Sequence, residues 1–218
     1  MKKQTVIAIA LFILLTTITS KEKISISEFN LKKIKISNNQ FIKEGEIKKL
    51  LNPIYGKNLL FLSNLEIKQE LEKNSFIESF KIKKKYPDTL KIEIFEKKPI
   101  AIIFFKKKKY YLSEKIDLIE FKSIKDYENL PYVFAERDEF EIFYNSLMQI
   151  NFPIRLIKKF TFFESNRWDL ETSNKTLIKL PSKNYTKSLE NYLNLKNKNN
   201  FKKYKVFDYR INNQLILK

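Results

Sequence analysis

On either side of a short break between residues 80 and 95, apolar and polar side chains alternate. Phe80 and Ile82 alternate with Lys81 and Lys83; after Tyr86-Pro87-Asp88, Leu90, Ile92 and Ile94 alternate with Lys91, Glu93 and Phe95. A period of two predicts strands with one buried face. Pro87-Asp88 is turn chemistry, because proline presets φ and aspartate bonds its own backbone. The two runs therefore predict an antiparallel hairpin. Upstream, Ile34 and Ile36 alternate with Lys33 and Lys35, which predicts a first strand over 31–36. Ile47, Leu50 and Leu51 lie on one helical face, which Pro53 stops. Ser63-x-x-Glu66 is a capping box in front of a second helix, whose face carries Ile67 and Leu71. The order over these residues is β-α-α-β-β.

Downstream the pattern is richer in strands. Residues 102–105 and 110–112 read as short strands around the lysine run 106–109, taken as a solvated hairpin turn. Phe140, Phe143, Tyr144 and Leu147 form one helical stripe, and Tyr185, Leu189, Tyr192 and Leu193 another. Residues 160–163 lead to a strand containing Trp168, and 176–180 are its return. In that strand Asp169 and Glu171 read as the wet face, alternating with Trp168 and Leu170. Residues 194–203 are polar and predict a loop; 214–217 predict a final short strand. The overall class is α+β.

The N-terminal residues have a different pattern. Residues 4–20 carry no charge, and 6–15 are continuously apolar, including Val6, Ile7, Leu11, Phe12, Leu14 and Leu15. As a helix, 4–20 spans about 25 Å, slightly less than the roughly 30 Å hydrocarbon core of a bilayer. No Ala-x-Ala-like cleavage site follows, so the stretch reads as an uncleaved anchor; a cleaved signal peptide has similar charged and apolar regions. Lys2 and Lys3 favour a cytoplasmic N-terminus.

Composition narrows the chemistry. The 218 residues include 19 Phe and 11 Tyr and are 43% hydrophobic, enough for a core. There is no cysteine or histidine, which removes the thiolate nucleophile, the commonest metal ligands and the usual general base. With two glycines, Gly45 and Gly56, no Gly-rich phosphate loop can be assembled. No nucleophile, base and orienting group can be named together, and no cofactor is expected. The net charge of +18 admits a nucleic-acid or anionic-surface binder. Interspersed acids, and the scarcity of aromatics within the lysine runs, favour a residue-usage bias instead. Lys83–Lys85 and Lys106–Lys109 read as solvated faces, with attraction to anionic headgroups as the alternative.

The stretch 86–101, aromatic-Pro-Asp-x-Leu-x-Ile-x-Ile-x-Glu-x-x-Pro-Ile-Ala, resembles the close of a POTRA domain of the bacterial FtsQ/DivIB cell-division family. Glu96, Pro99 and Ala101 match its Glu-x-x-Pro-x-Ala junction, with Tyr86 in place of a tryptophan. Residues 113–117 stand where the family has an Asp-x-x-Gly turn and carry neither residue in register. Leu130-Pro131 matches a Leu-Pro. Arg167-Trp168-Asp169-Leu170 resembles a second-domain signature, with Asn174-Lys175 replacing Asn-Gly. There a type I′ turn would force a lysine to positive φ. Val206–Arg210 is similar to the family's Ile/Val-Asp-Leu-Arg.

The resemblance implies an anchor with cytoplasmic tip (1–23), a POTRA domain (27–98) and an FtsQ-type β domain (99–218). It implies a non-enzymatic, single-pass inner-membrane scaffold of the divisome, periplasmic in bulk and placed at the septum. The partners it implies are FtsB and FtsL, which relay to the septal peptidoglycan synthase. FtsB would add a strand to the C-terminal edge at Arg210, Ile211, Leu215, Ile216 and Leu217. FtsK-dependent recruitment would use the POTRA side, at Phe80, Ile82, Lys83 and Lys85. Removal of 214–218, or proline at 216, is expected to spare the fold and lose the partner. The alternative is a POTRA-bearing component of a secretion or outer-membrane assembly system, though the region after Pro99 is short for a barrel.

Overall fold

The computed structural model describes residues 3–17, 26–211 and 214–218. Residues 1–2 and 18–25, with Lys2, Lys21, Lys23 and the last three positions of the expected anchor, lie outside the described residues, as does the side chain of Leu15. Helix α1 (Lys3–Thr17) exposes its apolar side chains: Val6, Ile7, Leu11, Phe12 and Leu14 are all more than half exposed. Its 15 residues span about 22 Å. Among the described residues no helix is long and apolar enough to cross a membrane.

The chain divides into two compact units. The first comprises Met1–Ser37, Glu44–Leu71 and Lys81–Glu93. After α1 it contains strand β1 (Lys33–Ser37) and helices α2 (Glu44–Leu50) and α3 (Asn64–Leu71), then most of β2 (Ile77–Lys85) and β3 (Thr89–Glu96). The sheet order is β1-β3-β2, with β1 parallel to β3. Neighbouring β2 and β3 are joined through residues 86–88, so the expected hairpin forms. The alternation sets the buried face: Ile34, Leu90 and Ile92 are buried, as are Ile47 and Leu51 near α2 and Ile67 and Leu71 on α3. Pro53 ends α2 by tightening the chain into a 3-10 turn at Asn52–Ile54. The capping box is made at α3. Ser63 Oγ accepts the Glu66 amide at 3.1 Å, and Glu66 Oε1 accepts the Ser63 amide at 3.4 Å.

The second unit comprises Asn38–Lys43, Glu72–Phe80 and Ile94–Lys218. Its strands are β4 (Pro99–Phe105), β5 (Lys108–Ser113), β6 (Leu118–Glu120), β7 (Tyr132–Phe134), β8 (Ile157–Phe163), β9 (Arg167–Thr172), β10 (Leu177–Lys179), β11 (Val206–Asp208) and β12 (Ile216–Leu217). Helix α4 (Arg137–Gln149) joins β7 to β8, and α5 (Tyr185–Leu195) joins β10 to β11. Both strand pairs are parallel, and a parallel pair needs a crossover of this kind. The nine strands order as β12-β11-β10-β9-β8-β7-β4-β5-β6. The stripes of α4 and α5 enter one core with Phe160, Trp168, Leu170 and Phe207. There Phe143 stacks on Trp168 at 4.4 Å between ring centres and 15° between planes.

Two turns differ from expectation. Only Lys106 and Lys107 make the β4–β5 turn, at φ 47° and 64°, while Lys108 and Lys109 belong to β5. Positive φ at both central residues is the type I′ geometry whose twist matches two paired strands. Pairing of Phe105 with Lys108 leaves room for two turn residues, whatever their side chains. Between β9 and β10 the loop is longer than a type I′ pair. The Lys175 amide donates to the Thr172 carbonyl at 3.0 Å, and Lys175 alone in this loop has positive φ, 63°. The Thr172 hydroxyl bonds Asn174, which holds the loop in place of a glycine's freedom.

Candidate functional site

The edge strand β12 pairs on one side with β11, with Phe207 opposite Leu217 and Asp208 opposite Ile216. Val206 and Lys218 exchange both backbone bonds, at 3.0 and 3.1 Å. In an antiparallel ladder such pairs alternate with pairs whose amides and carbonyls point away. Lys218 and Ile216 therefore face inward along the ladder, and Leu217 turns its N–H and C=O toward the open edge. The Lys218 carbonyl also accepts the Lys205 amide at 2.7 Å, and Leu215 and Leu217 pack on the core. This corrects the expectation that 214–218 can be removed at no structural cost. Ile216, 37% exposed, and Ile211, 50% exposed, are the apolar groups the edge presents outward. Arg210 and Ile211 precede the strand in the bend after β11; residues 212 and 213 lie outside the described residues.

Arg210 is not a loose cation. Its Nε donates to Asp208 Oδ1 at 2.9 Å, its Nη2 to Oδ2 at 2.7 Å, and its backbone amide to Oδ1 at 3.1 Å. This fork holds the Asp208 carboxyl below its usual range, chiefly through the Arg210 hydrogen bond, with burial opposing. The resemblance that placed Arg210 at the binding edge gave no sign that Asp208 would clamp it. Further along the sheet, Asp169 lies opposite Lys179, and Lys179 opposite Asp208. Asp169 is buried, which corrects the wet-face reading. Strand β9 lies between β8 and β10, and the Arg167 guanidinium sits over the Phe163 ring, 4.5 Å from its centre. The Arg167 Nε lies 3.6 Å from Asp169 Oδ1, an attraction between charges without a hydrogen bond. Burial dominates there and pushes the Asp169 carboxyl up.

On the first unit the expected POTRA-side residues fall on two faces. Phe80 and Ile82 are half-buried on the side that carries the apolar residues of β2, whereas Lys83 and Lys85 are exposed on the other. Lys84, on the inner side, donates to the Leu62 carbonyl. These four residues therefore do not form one surface.

An FtsQ-type POTRA domain matches residues 29–97. Over 190 residues the chain is 30% identical to the cell division protein FtsQ of Rickettsia conorii, covering 85% of this chain and 71% of that protein. The chain belongs to the FtsQ family of cell division proteins. Its identity to the Rickettsia bellii FtsQ is 29% over 192 residues, with the same coverage. The major extracytoplasmic domain of DivIB from Geobacillus stearothermophilus aligns at a TM-score of 0.34 and 13% identity, over 45% of this chain and 89% of that one.

The FtsQ motifs acquire physical roles from the geometry. Glu96, which opens the Glu-x-x-Pro-x-Ala junction, accepts the amides of Gln40, Phe41 and Ile42 at 2.9–3.2 Å. A carboxylate is needed there because three converging amides form an anion nest, a contact 54 to 56 residues away in sequence that spacing could not reveal. Where the family has Asp-x-x-Gly, Ser113 Oγ accepts the amides of Lys115 and Asp117, at 3.2 and 3.0 Å. Ile116 takes the positive φ, 60°, and buries its side chain in the core. The Ser113 hydroxyl thus holds the turn, and burial offsets the strain of a β-branched residue at positive φ. Within the second unit a cleft of about 870 Å³ is lined by Glu96, Lys97, Asp126, Tyr127, Pro131 and Arg155 among others. Its charges are mixed.

Proposed function

We propose that this FtsQ-family chain is a non-enzymatic scaffold of the bacterial divisome that binds an FtsB/FtsL-like partner by strand addition at β12. The observation that carries the reading is the open edge of the nine-stranded sheet. Leu217 offers an unladdered N–H and C=O there, beside the exposed Ile216 and Ile211. An added strand would take those groups, with alternate side chains giving specificity. In this reading the domains run 1–23, 27–98 and 99–218. Helix α1 is the start of a single-pass inner-membrane anchor with a cytoplasmic N-terminus, which its exposed apolar surface favours. The bulk of the chain is periplasmic at the septum. FtsK-like contacts would use the POTRA side, through Lys83 and Lys85 on its exposed face. The signal for septal synthesis would pass through the FtsB/FtsL-like partner. Calorimetric titration of the chain with the extended segment of that partner tests the reading. Saturable binding is expected, and it should weaken roughly 5- to 30-fold when the Leu217 amide is removed. Unchanged binding by that folded variant refutes the edge.

A further inference from the structure

The open face of the three-stranded sheet concentrates positive charge. Lys33 and Lys35 of β1, Lys91 of β3, and Lys81, Lys83 and Lys85 of β2 alternate with the apolar positions and share the face opposite the buried one. Register confirms their adjacency: Lys35 stands directly opposite Lys91, and Ser37 opposite Glu93. Lys81 Nζ reaches Glu93 Oε2 at 3.6 Å, which places β2 on the same face. Glu93 is the one acid among these strand positions. Asp88, in the adjoining turn, lies 4.0 Å from Lys33 Nζ. Among the described residues Lys35, Lys83, Lys85 and Lys91 have no acidic partner.

Lysines one strand apart are about 4.8 Å from each other along the ladder, and about 6.7 Å at alternate positions. Both separations fall inside the Debye length of about 8 Å, and like charges opposite one another destabilise a sheet. A surface that gathers such repulsion gains most from a flat anionic layer. Phe95, the aromatic ring in phase with Lys91 and Glu93, comes after Glu93 toward the end of β3 and not between the lysines, so the lysine cluster itself offers no platform for stacking bases.

We propose that this face docks onto an anionic lipid surface, that of the bilayer holding α1. The inference rests on the anchor reading given above. From Thr17, where α1 ends, to Lys33 there are 16 residues, at most about 55 Å of chain, which keeps the face within reach of the headgroups. Each lysine near an anionic bilayer is worth about fivefold in the docking equilibrium.

The test is lysine acylation, read by mass spectrometry on the full chain reconstituted in vesicles. Phosphatidylcholine vesicles are compared with vesicles that also contain phosphatidylglycerol, and flotation is measured in parallel. Protection of Lys33, Lys35, Lys83, Lys85 and Lys91 only on the phosphatidylglycerol vesicles is expected, with the protection lost at high salt. Replacing Lys81, Lys83 and Lys85 by Gln should weaken docking about a hundredfold and restore the reactivity of Lys33, Lys35 and Lys91. A chain that floats with the vesicles yet reacts equally on both overturns docking alone. A chain that does not float overturns the anchor and this proposal with it. Protection by heparin in solution, with none on phosphatidylglycerol vesicles, overturns the lipid occupant in favour of a soluble polyanion.

Discussion

Replacing Leu217 by proline separates the partner edge from the fold. The Val206–Lys218 pair fixes the ladder phase, so the Leu217 N–H points to the open edge and takes no part in pairing with β11. Proline is tolerated on an edge strand when its missing N–H faces solvent. An added partner strand, however, loses one backbone hydrogen bond, worth about 0.5–1.5 kcal/mol net. The pyrrolidine ring also occupies the space of the incoming carbonyl. Together these effects should weaken binding by about 1–2 kcal/mol, or roughly 5- to 30-fold. Proline at Ile216 is the opposite case. It breaks a bond to β11 and should lower the stability of the unit by about 1–3 kcal/mol, the cost of a buried group left unpaired. The assay pairs calorimetric titration against the partner's extended segment with urea unfolding followed by circular dichroism. If Leu217→Pro stays folded and binds within twofold of the parent, strand addition at β12 is wrong. If instead it unfolds like Ile216→Pro, the assigned ladder phase is wrong.

Asp208→Asn should destabilise the chain by about 1 kcal/mol at pH 7, a charged-acceptor value discounted because Arg210 is partly exposed. The folded carboxyl titrates below its unfolded value near pH 4. Its contribution is therefore complete above that pH and lost as pH falls through the folded value, and urea melts at neutral and strongly acid pH should show the difference vanish in acid. Lys107→Gly should stabilise by about 0.5–1 kcal/mol in thermal melts, because the αL penalty that glycine removes at φ 64° exceeds its extra cost in chain entropy. Glu96→Ala should cost about 2 kcal/mol by leaving the amides of residues 40–42 without their shared acceptor; amide exchange at those three residues should rise most. Trp168→Ala should cost about 3–5 kcal/mol, since the indole packs among Phe140, Phe143 and Phe162; denaturant unfolding is the measure.

Local periodicity carried a large part of the fold, and the residues show where it stopped. Ile34, Leu90 and Ile92 are inward because a strand alternates, and Phe140, Phe143, Tyr144 and Leu147 because a helix turns every 3.6 residues. Ser63 and Glu66 cap α3 because their partners lie three residues apart. Asp169 was misplaced for the complementary reason. Alternation gives two faces but not which of them solvent reaches, and on β9, between β8 and β10, Asp169 has Lys179 opposite it and Arg167 beside it.

The sequence by itself determined the element order, the buried stripes, the capped helix and the division-family motifs, because each depends on neighbours within a few residues. The tertiary structure decided which strand ends the sheet, that Leu217 rather than Ile216 turns its amide outward, that Asp208 holds Arg210, and that Glu96 gathers the amides of residues 40–42. It also separated Phe80 and Ile82 from Lys83 and Lys85, and assembled six lysines from three strands on one face. The physical reason is the same in each case. Ladder phase, sheet order and charge clustering depend on pairings between distant segments, and a single chain's pattern does not encode those pairings position by position.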